Sequence, residues 1–245
     1  VKDERVEVLD LESDVVVYHP ADHRLLLCDS LQKKDRFETF PAFSPDGRTL
    51  YFCSAEAKKI PEEYKEIRYN LCSIDFDPSA GKFGSRIDTL VNAEALGKSV
   101  SFPRPSYDGK YIMFTLSDYG NFSIWHKEAD LWLLDLTSGD LRKLSEVNSD
   151  DTESFHNWSS NSRWFVFSSR RGDGLYTRLY LASMDENGKI SKPFLLPQED
   201  PETYYDRSVY SYNVPDFTRE PIKIDTRVFE KKITSKERIQ VQAKK

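Results

Sequence analysis

The chain has 245 residues, of which 38% are hydrophobic and 13% aromatic, so it can fill the core of one large domain. Its formal net charge of −6 argues against a nucleic-acid-binding surface, and no apolar run reaches the roughly 20 residues that a membrane-spanning helix needs. Residues 218–245 depart from this balance, because they carry nine Lys/Arg and four Asp/Glu. We expect them to form a basic polar tail or an edge strand.

The first 36 residues read as two strands joined by a turn. Two short apolar runs, 15–18 and 25–28, flank the turn-forming residues 19–22. The chain begins without an initiator Met and without a signal-peptide pattern, so we expect this end to be a cut end. We interpret residues 1–36 as the second half of a repeat whose first half is missing.

A strand–turn–strand pattern organises the rest of the chain. It is first met at 43–52, where Pro45, Asp46 and Gly47 supply the turn, and it recurs at 105–114 and 158–167. The third copy has Ser160, Asn161 and Ser162 in place of Pro, Asp and Gly, which leaves its turn type open. A second strand pair follows each copy, so the sequence predicts repeats of four strands over 37–98, 99–152 and 153–200.

Four short strands in each of three consecutive repeats predict an all-β protein built as a β-propeller of four-stranded blades. A β-sandwich also has short strands and turns, but it lacks self-similarity at this period. About three and a half blades make an open arc with exposed strand edges. We therefore expect the ring to have six or seven blades, completed by a longer parent chain or by a second copy. Residues 201–217, which are dense in aromatic side chains, are predicted to be a closing strand.

The pattern Phe-Ser-Pro-Asp-Gly-Arg-x-Leu-x-Phe at 43–52 resembles the WD40-like β-propeller repeat called PD40, which occurs in the C-terminal propeller of the bacterial translocation protein TolB. The resemblance covers about residues 10–215. It implies a propeller fold and, for a TolB-like scaffold, a periplasmic or cell-envelope location. Related repeats also occur in propellers attached to serine peptidases and in a pectin-fragment lyase.

The predicted inner strands start with matching segments at 38–42, 100–104 and 153–157. We expect their aligned phenylalanines, at 40, 102 and 155, to be core residues. Arg104 and Asn157 align with Ala42 and are candidates for ligand contact, or they line a water-filled polar channel.

The loops after the second strands supply the other candidate binding residues. One loop contains Tyr119, Trp125 and His126, and the other contains Arg170 and Arg171. Exposed aromatic rings beside cationic side chains suit sugars, peptides or carboxylates. Alternatively, Tyr119 and Trp125 pack beneath their own loop.

Arg170 and the two histidines of the predicted mouth each have a second interpretation. Arg170 is predicted to tie two blades together through a carboxylate such as Asp135. His156, on the third inner strand, is a further candidate binding residue. It lacks metal-ligand spacing with His126, yet residues far apart in sequence converge at a channel mouth, where the two could meet.

No catalytic constellation is visible, since the chain has neither a Gly-x-Ser-x-Gly nor a His-Glu-x-x-His motif. We assign no catalytic residue, metal or cofactor. The favoured function is a non-catalytic TolB-like scaffold that binds a protein, peptide or glycan. The alternative is a propeller enzyme, or a propeller that gates substrate entry to one. Cys53 and Cys72 fall on successive predicted strands, so they are either two buried thiols or a disulfide. No pairing is predicted for Cys28.

Overall fold

The computed structural model describes residues 7–200 and 203–244. Three stretches lie outside the described residues: 1–6 of the predicted half-blade, 201–202 of the predicted closing segment, and 245 of the predicted tail. The regular secondary structure of the described part is mainly short β-strands, with two short α-helices. None of its helices is long and apolar enough to cross a membrane.

Three antiparallel sheets have four strands each, and the strands of each sheet lie in sequence order. The first blade has β3 (Arg36–Phe43), β4 (Thr49–Glu56), β5 (Asn70–Asp77) and β6 (Lys82–Val91). The second blade has β7 (Ser99–Pro105), β8 (Tyr111–Ser117), β9 (Asp130–Asp135) and β10 (Leu141–Lys143). The third blade has β11 (Glu153–Trp158), β12 (Trp164–Ser169), β13 (Arg178–Ser183) and β14 (Phe194–Leu195). The first strand of the second blade contacts the first strands of both neighbours, so the sheets are arranged as propeller blades and the predicted all-β propeller fold is confirmed.

The two ends of the chain meet in a fourth, smaller sheet. It pairs β1 (Val17–His19) with β2 (Arg24–Leu26), and β15 (Gln242–Lys244) adds to β2 in parallel. In the sequence, α1 (Tyr204–Arg207) and α2 (Arg227–Thr234) lie between β14 and β15. In its described residues, the segment predicted as a closing strand holds α1 and then irregular chain. Side chains of Ser168 and Arg178 donate to its carbonyls, and the Tyr212 amide donates to the carbonyl of Thr177, but no strand forms in this described part.

The same turn joins the first two strands of each blade. In the first blade the Ser44 hydroxyl donates to Asp46 at 2.6 Å, and Gly47 has a φ of +70°. In the third blade the Ser159 hydroxyl donates to Asn161 at 2.7 Å, and Ser162 takes the left-handed position with a φ of +55°. The turn is kept because the side-chain amide of an Asn offers the same acceptor oxygen as an Asp.

Alternation along the strands divides the core into layers between the blades. Within β8, Ile112 and Phe114 pack against the first blade, whereas Met113 packs against the third. Neighbouring residues of a strand point to opposite faces, so each middle strand serves two interfaces. The same rule separates the cysteines: Cys53 lies in the layer toward the second blade and Cys72 in the layer toward β1 and β2. Both are buried free thiols, as the sequence favoured.

Candidate functional site

The loops that carry most of the candidate residues lie at one end of the blades, which we call the mouth. It is the end at which β4, β8 and β12 finish. The tight turns that join the first two strands of each blade lie at the opposite end. Arg104 and Asn157 lie beyond a bulge, close to these turns, so they are not part of the mouth. The structure thus separates the candidate residues into two groups that the sequence had placed together.

The inner strands carry an aromatic stack behind the mouth. Phe40, Phe102 and Phe155 each have a left-handed backbone, with φ values of +51°, +54° and +49°, and each lies at a bulge. The ring centroids of Phe40 and Phe102 are 4.1 Å apart, and those of Phe102 and Phe155 are 4.8 Å apart. In each blade the bulge turns one phenylalanine ring toward the axis around which the blades are arranged. The expectation that these three residues are core is confirmed, since Phe102 and Phe155 are buried and Phe40 packs against them.

Arg170 and Trp125 meet across the boundary between the second and third blades. The guanidinium carbon of Arg170 lies 4.1 Å from the centroid of the Trp125 ring, which is a cation–π contact. Arg170 also donates to the carbonyl of Gly174 in its own loop. The predicted tie to Asp135 is wrong, because that carboxylate accepts the amides of Thr137 and Ser138 in its own turn.

A cleft of about 260 Å³ opens beside this pair. Its residues come from both mouth loops, from the inner strand of the third blade and from the segment after α1. They are Phe122, Ile124, Trp125, Phe155, Arg170, Leu175, Thr177, Ser211, Tyr212 and Asn213. The cleft therefore combines aromatic walls with one cationic side chain, which is the composition expected of a small binding site.

Arg171, the neighbour of Arg170, has a structural role. It forms a 2.9 Å ion pair with Glu153, whose side chain is fully buried, and its guanidinium carbon lies 4.5 Å from the centroid of Tyr180. It also donates to the carbonyl of Val147 in the second blade. Burial raises the pKa of Glu153, and hydrogen bonds from Ser149 together with the charge of Arg171 oppose this rise. Arg171 thus links the third blade to the second through the Val147 carbonyl, whereas its carboxylate partner Glu153 belongs to its own blade.

The chain itself covers Tyr119 and His126. The Tyr119 hydroxyl donates to Glu7 at 2.7 Å, and His126 Nε2 lies 3.6 Å from the other oxygen of Glu7. His126 Nδ1 is 3.2 Å from Glu128, and Asn121 donates to Asp10. The segment that begins at residue 7 therefore occupies this part of the mouth. Tyr119 does not simply pack beneath its own loop.

The remaining candidates do not line the cleft. His156 is buried and its Nε2 lies 2.9 Å from the carbonyl of Met113. Burial lowers the pKa of His156 to about 3, so it is neutral. The Asn157 side chain accepts the amide of Trp158 at 3.0 Å. Burial lowers the pKa of Arg104, and the charge of Asp216 opposes this shift.

The two histidines do not form a metal centre. His126 contacts Tyr119 and two glutamates, whereas His156 bonds to the backbone of β8. Among the described residues, no group of three His, Cys, Asp or Glu side chains could hold a metal ion.

Sequence reasoning missed one buried acid near the mouth. Glu38 on β3 is 1% exposed, and its Oε2 has no hydrogen-bond partner within residues 7–200 and 203–244. Burial raises its pKa to about 7, the charge of Asp14 adds to the rise, and that of Arg36 opposes it. The position of Glu38 near the start of a strand gives no sign of this burial, and the segment that its amide contacts, at the carbonyl of Ser13, is distant in the sequence.

Comparison with known proteins finds likeness in structure alone. No protein-family model matches the chain, and no curated protein matches it significantly. Solved structures that are similar include TolB from Acinetobacter baumannii, with 18% identity, a TM-score of 0.41 and coverage of 72% of this chain and 40% of that one. The β-propeller domain of the Trilobed protease from Pyrococcus furiosus has 16% identity, a TM-score of 0.38, and coverage of 68% and 44%. A puromycin-hydrolyzing peptidase from Mycobacterium tuberculosis has 15% identity, a TM-score of 0.47, and coverage of 75% and 28%. The chain spans less than half the length of each.

Proposed function

We propose that this chain is part of a non-catalytic, TolB-like propeller scaffold that binds a protein, peptide or glycan at the mouth, in a bacterial cell envelope. The envelope location rests on the resemblance of the 43–52 motif to PD40 repeats. The binding role rests on one observation, the cleft at which Arg170 stacks on Trp125 between aromatic walls. Aromatic and Arg side chains grouped in a cleft are the residues that dominate binding energy at interfaces.

The same proposal includes a further blade as partner. The face of the third blade that points away from the second exposes Trp164 and Phe194 by 41% and 43%, and their ring centroids lie 6.3 Å apart. The corresponding faces of the first two blades are buried against the next blade. A blade from a longer chain or from a second copy would cover this face, and light scattering separates a dimer from a monomer.

The binding role is tested by screening labelled protein against peptide and glycan arrays, with the variant Trp125→Ala beside the wild type. Tyr107→Ala is the matched control, because Tyr107 is an exposed aromatic residue in a turn at the opposite end of the second blade. We expect Trp125→Ala to lose the array signal and Tyr107→Ala to keep it. Equal signals from both variants, or no signal from the wild type, would contradict the proposal.

A further inference from the structure

Among the described residues, Arg170 is a buried cation without a carboxylate partner. Its exposed fraction is 6%, and within the described part of the chain its Nε has no hydrogen-bond partner and no acidic side chain forms an ion pair with it. Asp173, a nearby acid, accepts the amides of Leu175 and Tyr176, both at 2.8 Å. Burial lowers the pKa of Arg170, and the charges of Asp151 and Asp173 oppose this shift. A guanidinium this buried is stabilised by an anion that approaches it.

The side chains around the guanidinium indicate which kind of chemical group is attached to such an anion. Phe122, Ile124, Phe155 and Leu175 line the same cleft, so the group attached to the anion is apolar. At about 260 Å³ the cleft is smaller than the roughly 300–1,000 Å³ typical of sites for drug-sized ligands. It therefore has room for about one amino-acid residue.

The polar groups of the cleft favour a peptide over a sugar. The Thr177 hydroxyl donates to the carbonyl of Tyr212, and the Ser211 hydroxyl accepts the amide of Thr177. The Tyr212 hydroxyl is paired with that of Tyr204 at 2.6 Å. The Ser211 hydroxyl keeps its O–H and the Asn213 side chain also lines the cleft, but these few groups cannot replace all the hydrogen bonds to water that the several hydroxyls of a sugar ring would lose. A carboxylate needs only the planar guanidinium, whose N–H groups match its two oxygens.

We propose that this cleft binds the C-terminal carboxylate of a peptide whose last residue is aromatic or branched aliphatic. The carboxylate lies against Arg170, and the last side chain packs between Phe122, Phe155 and Leu175. This inference rests on the proposed function and names its ligand class.

Calorimetric titration of the chain with N-acetyl-glycyl-phenylalanine, as free acid and as amide, tests the proposal. We expect the acid to bind at least about tenfold more tightly, because the amide loses a charge-assisted hydrogen bond. N-acetyl-glycyl-alanine should bind more weakly than the phenylalanine probe. Equal binding of acid and amide, or no binding of the acid, would overturn the proposal without any variant being needed.

The variant Arg170→Gln tests whether the tighter binding of the free acid depends on Arg170. It should bind acid and amide alike, whereas the control Arg163→Gln, which removes an exposed arginine paired with Glu186, should keep the full preference. A preference that survives Arg170→Gln in folded protein would overturn the assignment. An array signal that depends on Trp125 but ignores C-terminal amidation would refute this inference and leave the proposed function standing.

Discussion

Replacement of the buried acid Glu38 by Gln should change how the stability of this protein depends on pH. The Glu38 amide donates to the carbonyl of Ser13 at 3.0 Å, which brings the neighbouring Asp14 close to the Glu38 carboxyl. One carboxyl oxygen has only a distant partner, the Ser54 hydroxyl at 3.5 Å. Burial, with the charge of Asp14, raises the pKa from its ordinary value of 4.5 to about 7 in the folded state.

The sign and size of the effect follow from proton linkage. Between the two pKa values the folded state holds a proton that the unfolded state has released, so the free energy of unfolding falls as the pH rises from 4.5 toward 7. The full contribution is present below the unfolded pKa and is lost above the folded pKa. A titration between about 4.5 and about 7 corresponds to roughly 2.5 kcal/mol lost from pH 5 to pH 8.

Urea denaturation of wild type and Glu38→Gln at several pH values from 5 to 8 measures this loss. We expect Glu38→Gln to gain roughly 2.5 kcal/mol relative to wild type as the pH rises across this range, because an amide does not ionise. Glu62→Gln is the control, since Glu62 is exposed. Parallel stability curves for wild type and Glu38→Gln would refute the burial and charge argument.

Three other predictions concern stability. Gly109→Ala should cost about 1–2 kcal/mol because its φ is +71°, whereas Gly172→Ala, in open space and without positive φ, should be neutral; equal melting temperatures would contradict the turn geometry. Phe102 has a φ of +54°, so Phe102→Gly should be at least as stable as Phe102→Ala in chemical denaturation, whereas Ala is usually favoured over Gly by about 0.5–1 kcal/mol. An Ala variant that is clearly more stable than the Gly variant would exclude backbone strain at residue 102. Arg171→Met should cost about 3–5 kcal/mol by leaving the buried Glu153 without a cationic partner, and adding Glu153→Gln should restore part of that loss. No restoration in the double variant would mean that the ion pair is not the cause.

The blades could be predicted from the sequence because the signals that define them are local. The short apolar runs of β4 and β8 and the turn residues at 44–47 act within a few positions, and these elements form where expected. The third turn kept its conformation even with Ser162 in the glycine position. The Ser162 hydroxyl accepts the amide of Asp108 from the neighbouring blade at 2.9 Å, a contact between blades that favours this residue.

The inner strands depart from a local rule. Phe40 and Phe102 each precede a proline, and a residue before proline ordinarily prefers extended backbone. Both take left-handed values instead, because stacking against the rings of neighbouring blades offsets the local preference. Such a conformation depends on packing between blades, which the sequence of one strand does not encode.

The candidate site could be predicted only in part for the same reason. The loop residues Trp125 and Arg170 were identified by composition, but their contact joins two blades and required the fold. Asp135 was a plausible partner by charge, yet its own turn uses that carboxylate. The contact between Tyr119 and Glu7 links residues 112 positions apart, and no sequence pattern in either segment predicts it.

Hydrogen exchange of the chain with and without saturating N-acetyl-glycyl-phenylalanine tests most directly the claim that the mouth is the binding site. We predict slower exchange in the two mouth loops, residues 118–129 and 170–177, and unchanged exchange in the turns 106–110 and 159–163 at the opposite end. Protection confined to those turns would contradict the assignment of function to the mouth, whereas no protection at any residue would refute the carboxylate-binding inference alone.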